Sequence, residues 1–196
     1  HIMKKYEKMV VIFVDLLGTK NNKEFEDKYL IHRLFHSEAR TNEERNLNHV
    51  IYNRKVFSFS DCAYFFYYYK DGIEDNRKND MKLLQIAMFN TSISLLRILN
   101  AGYLVRGGIA FGDAYFDELG FFGPAVEEAY GLESNYAQHG KEIFMTDSLY
   151  KIGISKITYQ GFNILIFLSI ISSKKIIVLI PSSPGISIIR FKTLGT

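Results

Sequence analysis

Ten consecutive residues, Lys8 to Leu17, read KMVVIFVDLL: apolar and rich in β-branched side chains, until an acid arrives at Asp15. The run does not alternate with polar residues, so a strand made from it has no face to offer to water. It therefore predicts a central strand covered on both sides. The following GTKNN breaks that strand. A second segment, VFSFSDCAYFF (Val56 to Phe66), poses a related problem. Asp61 sits with Ser60 between two runs that read as buried strand. A carboxylate there is costly unless a turn or a partner compensates it. A hairpin with its tight turn at Ser60-Asp61 resolves the conflict.

The rest of the chain fits around these two pieces. Lys23 to Ala39 reads as a helix with Phe25, Tyr29, Leu34 and Phe35 as its inner stripe. Thr41 to about Ile51 reads as a weaker helix, with Thr41 and Glu44 at capping-box spacing. KDGIEDNRKND is a solvated, turn-rich loop. Met81 to Asn100 carries Leu84, Met88, Leu95 and Leu99 at helical spacing, and Gly102 is placed to stop it. Tyr103 to Gly112 reads as a strand, Phe116 to Phe122 as a short strand or hairpin arm, and Gly123-Pro124 as the start of a helix running to about His139. Ile143 to Met145 is a further short strand. The order β-α-α-β-β-α-β-β-α-β contains a βαββαβ core, which predicts a ferredoxin-like α/β sandwich.

Residues 1–3 read as a cloning remnant and residues 4–153 as the main domain. The Ile/Ser-rich residues 154–196 are expected to add terminal strands to it. The chain of 196 residues is long enough for one substantial core, and 47% hydrophobic composition is that of a globular protein. A formal charge of +3 is too balanced for a nucleic-acid surface, yet leaves room for a small polyanion held by local cations. Cys62 is the sole cysteine, so no intrachain disulfide forms. The longest apolar stretch, Ile164 to Ile171, falls short of the roughly 20 residues that cross a bilayer. A soluble, cytoplasmic protein without nucleic-acid or membrane partners is expected.

Asp15 ends one strand and Asp61 lies at a hairpin tip. In a βαββαβ sheet those strands can be neighbours, and two adjacent carboxylates repel unless a cation lies between them. Mg²⁺ is commonly held by one or two carboxylates together with substrate phosphates. The turn after Asp15 has Gly18 and backbone N–H groups leading toward a helix, a usable phosphate cradle. Arg106, inside an apolar strand, needs an anion. The Gly107-Gly108 pair is expected to leave backbone accessible beside it, and its guanidinium can grip a triphosphate. Structural readings stand beside each of these. The acids are then ordinary turn residues, Arg106 pairs with Asp113, Asp117 or Glu118, and Phe57, Phe59 and Tyr52 are packing residues rather than a base platform. Tyr130 and Glu133 either pack or face a partner. His32, His36, His49 and His139 are read as surface or core residues without metal-ligand spacing.

Together, FVDLLGT, FSFSDCAYFF, LVRGGIAFG and FFGPAVEEAYGLES resemble the class III nucleotidyl cyclase domain, and more closely the bacterial antiphage pyrimidine cyclases of Pycsar systems. The resemblance covers about Val10 to Met145. It implies a cyclase-type fold, to which the segment after Gly153 adds a C-terminal extension without family likeness, and a homodimer with sites at the protomer interface. Two Mg²⁺ or Mn²⁺ ions per site would be held by Asp15, Asp61 and the Leu16 carbonyl. It places the phosphate turn at Leu17, Gly18, Thr19 and Lys20, a triphosphate contact at Arg106 and the base-selecting position at Phe57. Asp15, Asp61 and Arg106 are the implied catalytic set. The implied reaction turns UTP or CTP into a 3′,5′-cyclic nucleotide that activates a separate effector during phage infection. The chain departs from the family pattern at Glu127 and Gly131, where an Asn and an Arg usually bind ribose and the transition state. Phe57 and Gly120 likewise replace the usual purine-reading residues. A catalytically inactive nucleotide-binding relative, or a protein-interaction module, is the alternative expectation.

Overall fold

The computed structural model describes residues 4–19, 21, 23–36, 49–136, 142–145, 166–167, 175–182 and 185–193. Strand β1 (Glu7–Leu17) is its axis. Strand β4 (Leu104–Phe116) pairs antiparallel along one side of it, from Glu7 opposite Ala114 to Leu17 opposite Leu104. On the other side lies β3 (Cys62–Tyr69), also antiparallel, from Val10 opposite Tyr67 to Asp15 opposite Cys62. Strand β2 (Tyr52–Phe59) completes the hairpin with β3, and β5 (Phe121–Phe122) folds back on the end of β4. Beyond β4 come β6 (Glu142–Met145) and β9 (Gly185–Thr193), each parallel to its predecessor. Then β8 (Lys175–Ser182) and β7 (Ile166–Phe167) complete the sheet, both antiparallel. The spatial order is β2-β3-β1-β4-β6-β9-β8-β7.

Successive side chains of a strand point to opposite faces, and β1 feeds a different layer with each parity. Val10, Ile12, Val14 and Leu16 enter one core with Phe65, Tyr67, Val105 and Ile109. Helices α1 (Phe25–His36) and α2 (Asp80–Asn100) supply Ile31, Leu34, Phe35, Leu84, Met88 and Leu95 to that core. Met9, Val11 and Phe13 enter a second core with Phe66, Ala110 and Ala114, beneath Ala125, Val126 and Ala129 of α3 (Pro124–Tyr136). This two-sided cover is why six consecutive residues, Met9 to Val14, are all buried. The mixed α/β class agrees with the sequence, and so does the order of the described elements, the expected second helix aside. Among the described residues no helix is long and apolar enough to cross a membrane.

Several local expectations change. The inner stripe of α1 is Ile31, Leu34 and Phe35, whereas Phe25 and Tyr29 are 71% and 46% exposed. At about 100° per residue, Phe25 and Tyr29 fall well off the arc that contains the other three. Of the weaker helix expected at Thr41 to Ile51, residues 41–48 lie outside the described residues, and residues 49–51 are not helical. Strand β4 runs four residues past Gly112, and its return to β5 is closed by an Asp117 N–H donating to the Gly120 carbonyl at 2.9 Å. Lys4 is tethered to Asp117 at 3.2 Å. The backbone N–H of Leu119, joined by Lys4, holds the Asp117 carboxyl below its usual range. Within the α2-side core, the Tyr67 hydroxyl lies 3.3 Å from Thr91 Oγ1, and burial pushes this phenol up. Of the stripe expected on α2, Leu84, Met88 and Leu95 are buried, and Gly102 stops the helix at φ 91°.

The glycine pair does not open the backbone beside Arg106, as the sequence suggested. Both residues are buried. A Cβ on Gly108 would stand 2.2 Å from the Ala129 carbonyl and 2.9 Å from Leu132 Cβ. Gly108 is therefore what lets α3 lie close on β4. Gly112, further along the same strand, would place its Cβ 3.5 Å from Ala125, an ordinary contact. Gly108→Ala should thus lose about 1–3 kcal/mol in urea denaturation, as overpacking does. Gly112→Ala should change stability by less than about 1 kcal/mol in the same measurement.

Candidate active site at the end of the central strand

Three chain segments meet where β1 ends. The odd-numbered parity that puts Phe13 under α3 also puts Asp15 on that face. Register then sets Arg106 of β4 opposite Asp15 on one side and Cys62 of β3 opposite it on the other. Arg106 donates to Asp15 Oδ2 from Nε at 2.9 Å and from Nη2 at 2.8 Å. The two side chains are 27% and 20% exposed, so this charge-assisted pair is shielded more than a surface ion pair. Two of the acids expected as structural partners for Arg106 are paired with lysines instead. Asp113 pairs with Lys8 at 2.9 Å and Asp117 with Lys4. Arg106 instead grips the strand-end acid itself.

Asp61 arrives through the hairpin. Ser60 and Asp61 are the two turn residues between β2 and β3, and Ser60 takes the left-handed φ of 55° that such tight turns ask of their first central residue. The N–H of Leu16 donates to the Asp61 carbonyl at 2.9 Å, fastening the turn to the end of β1. Backbone at Asp61 is therefore one hydrogen bond from the residue after Asp15. The Asp61 carboxylate accepts a hydrogen bond from Thr19 Oγ1. Thr19 is 1% exposed, and it comes directly after Gly18, whose φ of 83° reverses the chain after β1. A side chain at Gly18 would be strained there, so the glycine serves the turn that sets Thr19 beside Asp61.

The remaining expected site residues are distributed unevenly. The Leu16 side chain lies in the α2-side core, Leu17 is half-buried, and Lys20 lies outside the described residues. Phe57 shares the face of Asp15 but sits one row back, opposite Tyr64, which is in turn opposite Phe13. Its ring packs against Phe121 at 4.9 Å and Phe66 at 5.8 Å, within an aromatic cluster. Phe59, opposite Cys62 in the Asp15 row, is 82% exposed. Tyr52 begins β2 and packs on the other core, so it cannot stack a base beside Asp15. On α3, Tyr130 crosses the edge of Phe13 at 5.4 Å and stays half exposed, while Glu127 is exposed. Thr19 as a hydrogen-bond partner of Asp61 was not foreseen; its spacing from Asp15 reveals nothing until the hairpin is docked. Nor was the pairing of His32 with His36, whose rings lie 4.7 Å apart.

Among the described residues no group of three or more His, Cys, Asp or Glu is gathered that could hold a metal ion. The donor set at this end of the sheet is two carboxylates, one gripped by a guanidinium and one by a hydroxyl.

No protein-family model matches the chain, and no curated protein matches it. Among solved structures, the chain is similar to the crystal structure of the guanylyl cyclase Cya2, with a TM-score of 0.40 and 11% sequence identity, over 96% of this chain and 92% of that one.

Thr19→Val should keep the fold but lower stability by about 0.5–1.5 kcal/mol, the net worth of a typical hydrogen bond, because Asp61 is half-buried and water can replace the lost donor. Thr19→Ser should recover most of that in chemical denaturation.

Proposed function

We propose that the chain is a metal-dependent nucleotidyl cyclase that converts a nucleoside triphosphate, UTP or CTP, into a 3′,5′-cyclic nucleotide and pyrophosphate. The observation that carries this reading is the hydrogen bond from Leu16 N–H to the Asp61 carbonyl. It docks the hairpin tip that carries Asp61 onto the end of the strand that carries Asp15, and the sequence motifs around these two acids share one family pattern. The sheet order β2-β3-β1-β4 with its antiparallel neighbours supports the ferredoxin-like form of that reading.

The donor chemistry fits a hard divalent ion. Carboxylate oxygens suit Mg²⁺ or Mn²⁺, which take few protein ligands and complete their shells with phosphate and water, and the neighbouring Cys62 thiol donates to the Phe59 carbonyl at 3.2 Å. In this proposal Asp15, Asp61 and the Leu16 carbonyl hold two such ions. When bound, these ions supply Lewis acidity toward the ribose 3′-hydroxyl and the triphosphate.

The chain's own residues have separate tasks. Thr19 keeps the Asp61 carboxylate from rotating away. Arg106 shields Asp15 while no triphosphate is present. It turns its fork toward phosphate oxygens when one arrives, a geometry that guanidinium suits. Leu17, Gly18 and Thr19 supply the turn that would face the phosphates, and Phe57 would back the base. The 3′-hydroxyl releases its proton to solvent and its oxygen bonds to the α-phosphorus as the bond to the departing pyrophosphate oxygen breaks. Positioning and charge neutralisation supply most of the acceleration in such transfers. A homodimer with the site at its interface, a cytoplasmic location and a separate effector activated by the product during phage infection complete the proposal.

A second reading rests on two observations. Arg106 occupies a candidate metal ligand, and α3 carries an exposed Glu127 and a Gly131 where the related enzymes have Asn and Arg. On that reading the chain binds nucleotide and turns nothing over.

The test is incubation with each of ATP, GTP, CTP and UTP plus Mn²⁺, with chromatography of the products. Cyclic UMP or CMP should form, and Asp15→Asn and Asp61→Asn should each lower the rate by about 10²-fold or more while the circular dichroism is unchanged. Undiminished turnover by a folded Asp61→Asn protein would refute the site. Saturable nucleotide binding with no product from any of the four would establish the second reading.

A further inference from the structure

Helix α1 carries a second stripe that its core does not use. Phe25, Tyr29, His32 and His36 succeed one another at steps of four, three and four residues, which aligns them along one side of the helix. Phe25 and Tyr29 stack at 5.5 Å with planes 11° apart, and Tyr29 and His32 at 6.4 Å and 19°. The line ends against β2, where Ser58 presents its hydroxyl. His36 Nε2 is 2.9 Å from Ser58 Oγ, and His32 Nδ1 is 3.4 Å from the same oxygen. Two imidazole nitrogens from successive helical turns therefore converge on one point beside an oxygen donor. An i, i+4 histidine pair on one helical face is a spacing that metal sites use. His32 is exposed, so the point opens to water.

We infer that His32, His36 and Ser58 form a transition-metal site for Zn²⁺, or for Co²⁺ or Ni²⁺ in its place, with water completing the coordination shell. Neutral imidazole suits these borderline ions, whereas Mg²⁺ and Ca²⁺ prefer carboxylate and carbonyl oxygen. Zinc–nitrogen bonds are about 2.0–2.1 Å. Nitrogens that already share one oxygen neighbour reach a common ion by modest ring rotation. Two imidazoles, a hydroxyl and water make an open, exchangeable site, unlike the closed four-ligand sites that hold structural zinc. The ion would tie α1 to β2, close in sequence to Asp61. Its binding does not depend on the proposed cyclase activity, because the donors and the metal class are different.

The test uses the full chain, stripped with a chelator and titrated with Zn²⁺ by calorimetry and with Co²⁺ by visible absorption. One saturable equivalent is expected, with cobalt ligand-field bands, unaffected by millimolar Mg²⁺. His32→Ala and His36→Gln should each abolish it. The glutamine can still hydrogen-bond Ser58, which keeps α1 docked, so loss of binding there separates a metal ligand from a purely structural contact. His49→Ala and Cys62→Ser should leave binding intact. No saturable binding, binding that survives His32→Ala combined with His36→Gln, or binding lost with Cys62→Ser would overturn the inference.

Discussion

The hydrogen-bonded ladders on both edges of β1 are the constraint on which the rest of the structure depends. A strand paired on both sides, here along its length with β4 and from Val10 to Asp15 with β3, cannot shift by one residue without exchanging its two faces. Here neither face can accept the exchange. Val10, Ile12 and Val14 are matched to the layer of α1 and α2, and Met9, Val11 and Phe13 to the layer of α3. The register that buries these six residues also sets the direction of the next one. Asp15 must emerge on the α3 side, opposite Arg106 and beside the hairpin tip. The position of the candidate site is thus a by-product of core packing.

That placement also explains how acids are tolerated at the edge of an apolar core. Each carboxylate has a donor supplied by a different element: the guanidinium of Arg106 from β4, and the hydroxyl of Thr19 from the turn after β1. Breaking a shielded pair by removing one partner costs more than the pair contributes, because the other charge is left behind. The two acids are consequently held in place before any ligand arrives. Arg106 is the switchable element of the proposed site, since a phosphate and the Asp15 carboxylate compete for the same fork of N–H donors.

Much of this is legible in the sequence because it is written as pattern. The unbroken apolar run announces a strand covered on both faces. The interruption at Ser60-Asp61 announces a two-residue turn, and Gly102 and Pro124 mark a helix end and a helix start. Contacts between elements are not written that way. Arg106 has acidic candidates near it in sequence, yet its partner lies 91 residues away, across a ladder whose register only the assembled sheet defines. The glycine pair reads as open backbone because a missing side chain looks the same whether ligand or helix fills the space. A stripe on α1 through Phe25 and Tyr29 suggests itself when hydrophobic identity outweighs angular position, and it hides the aromatic-histidine line on the same helix. Thr19 becomes visible only once the hairpin is docked.

The most direct measurement is anomalous diffraction at the manganese edge, from crystals grown with Mn²⁺ and a non-hydrolysable nucleoside triphosphate. The expected result is a peak within about 2.5 Å of carboxylate oxygens from both Asp15 and Asp61, with Arg106 swung off Asp15 onto phosphate. Manganese that touches only one of these acids, or neither, with the Arg106–Asp15 pair intact beside a bound nucleotide, would contradict the shared-ion site.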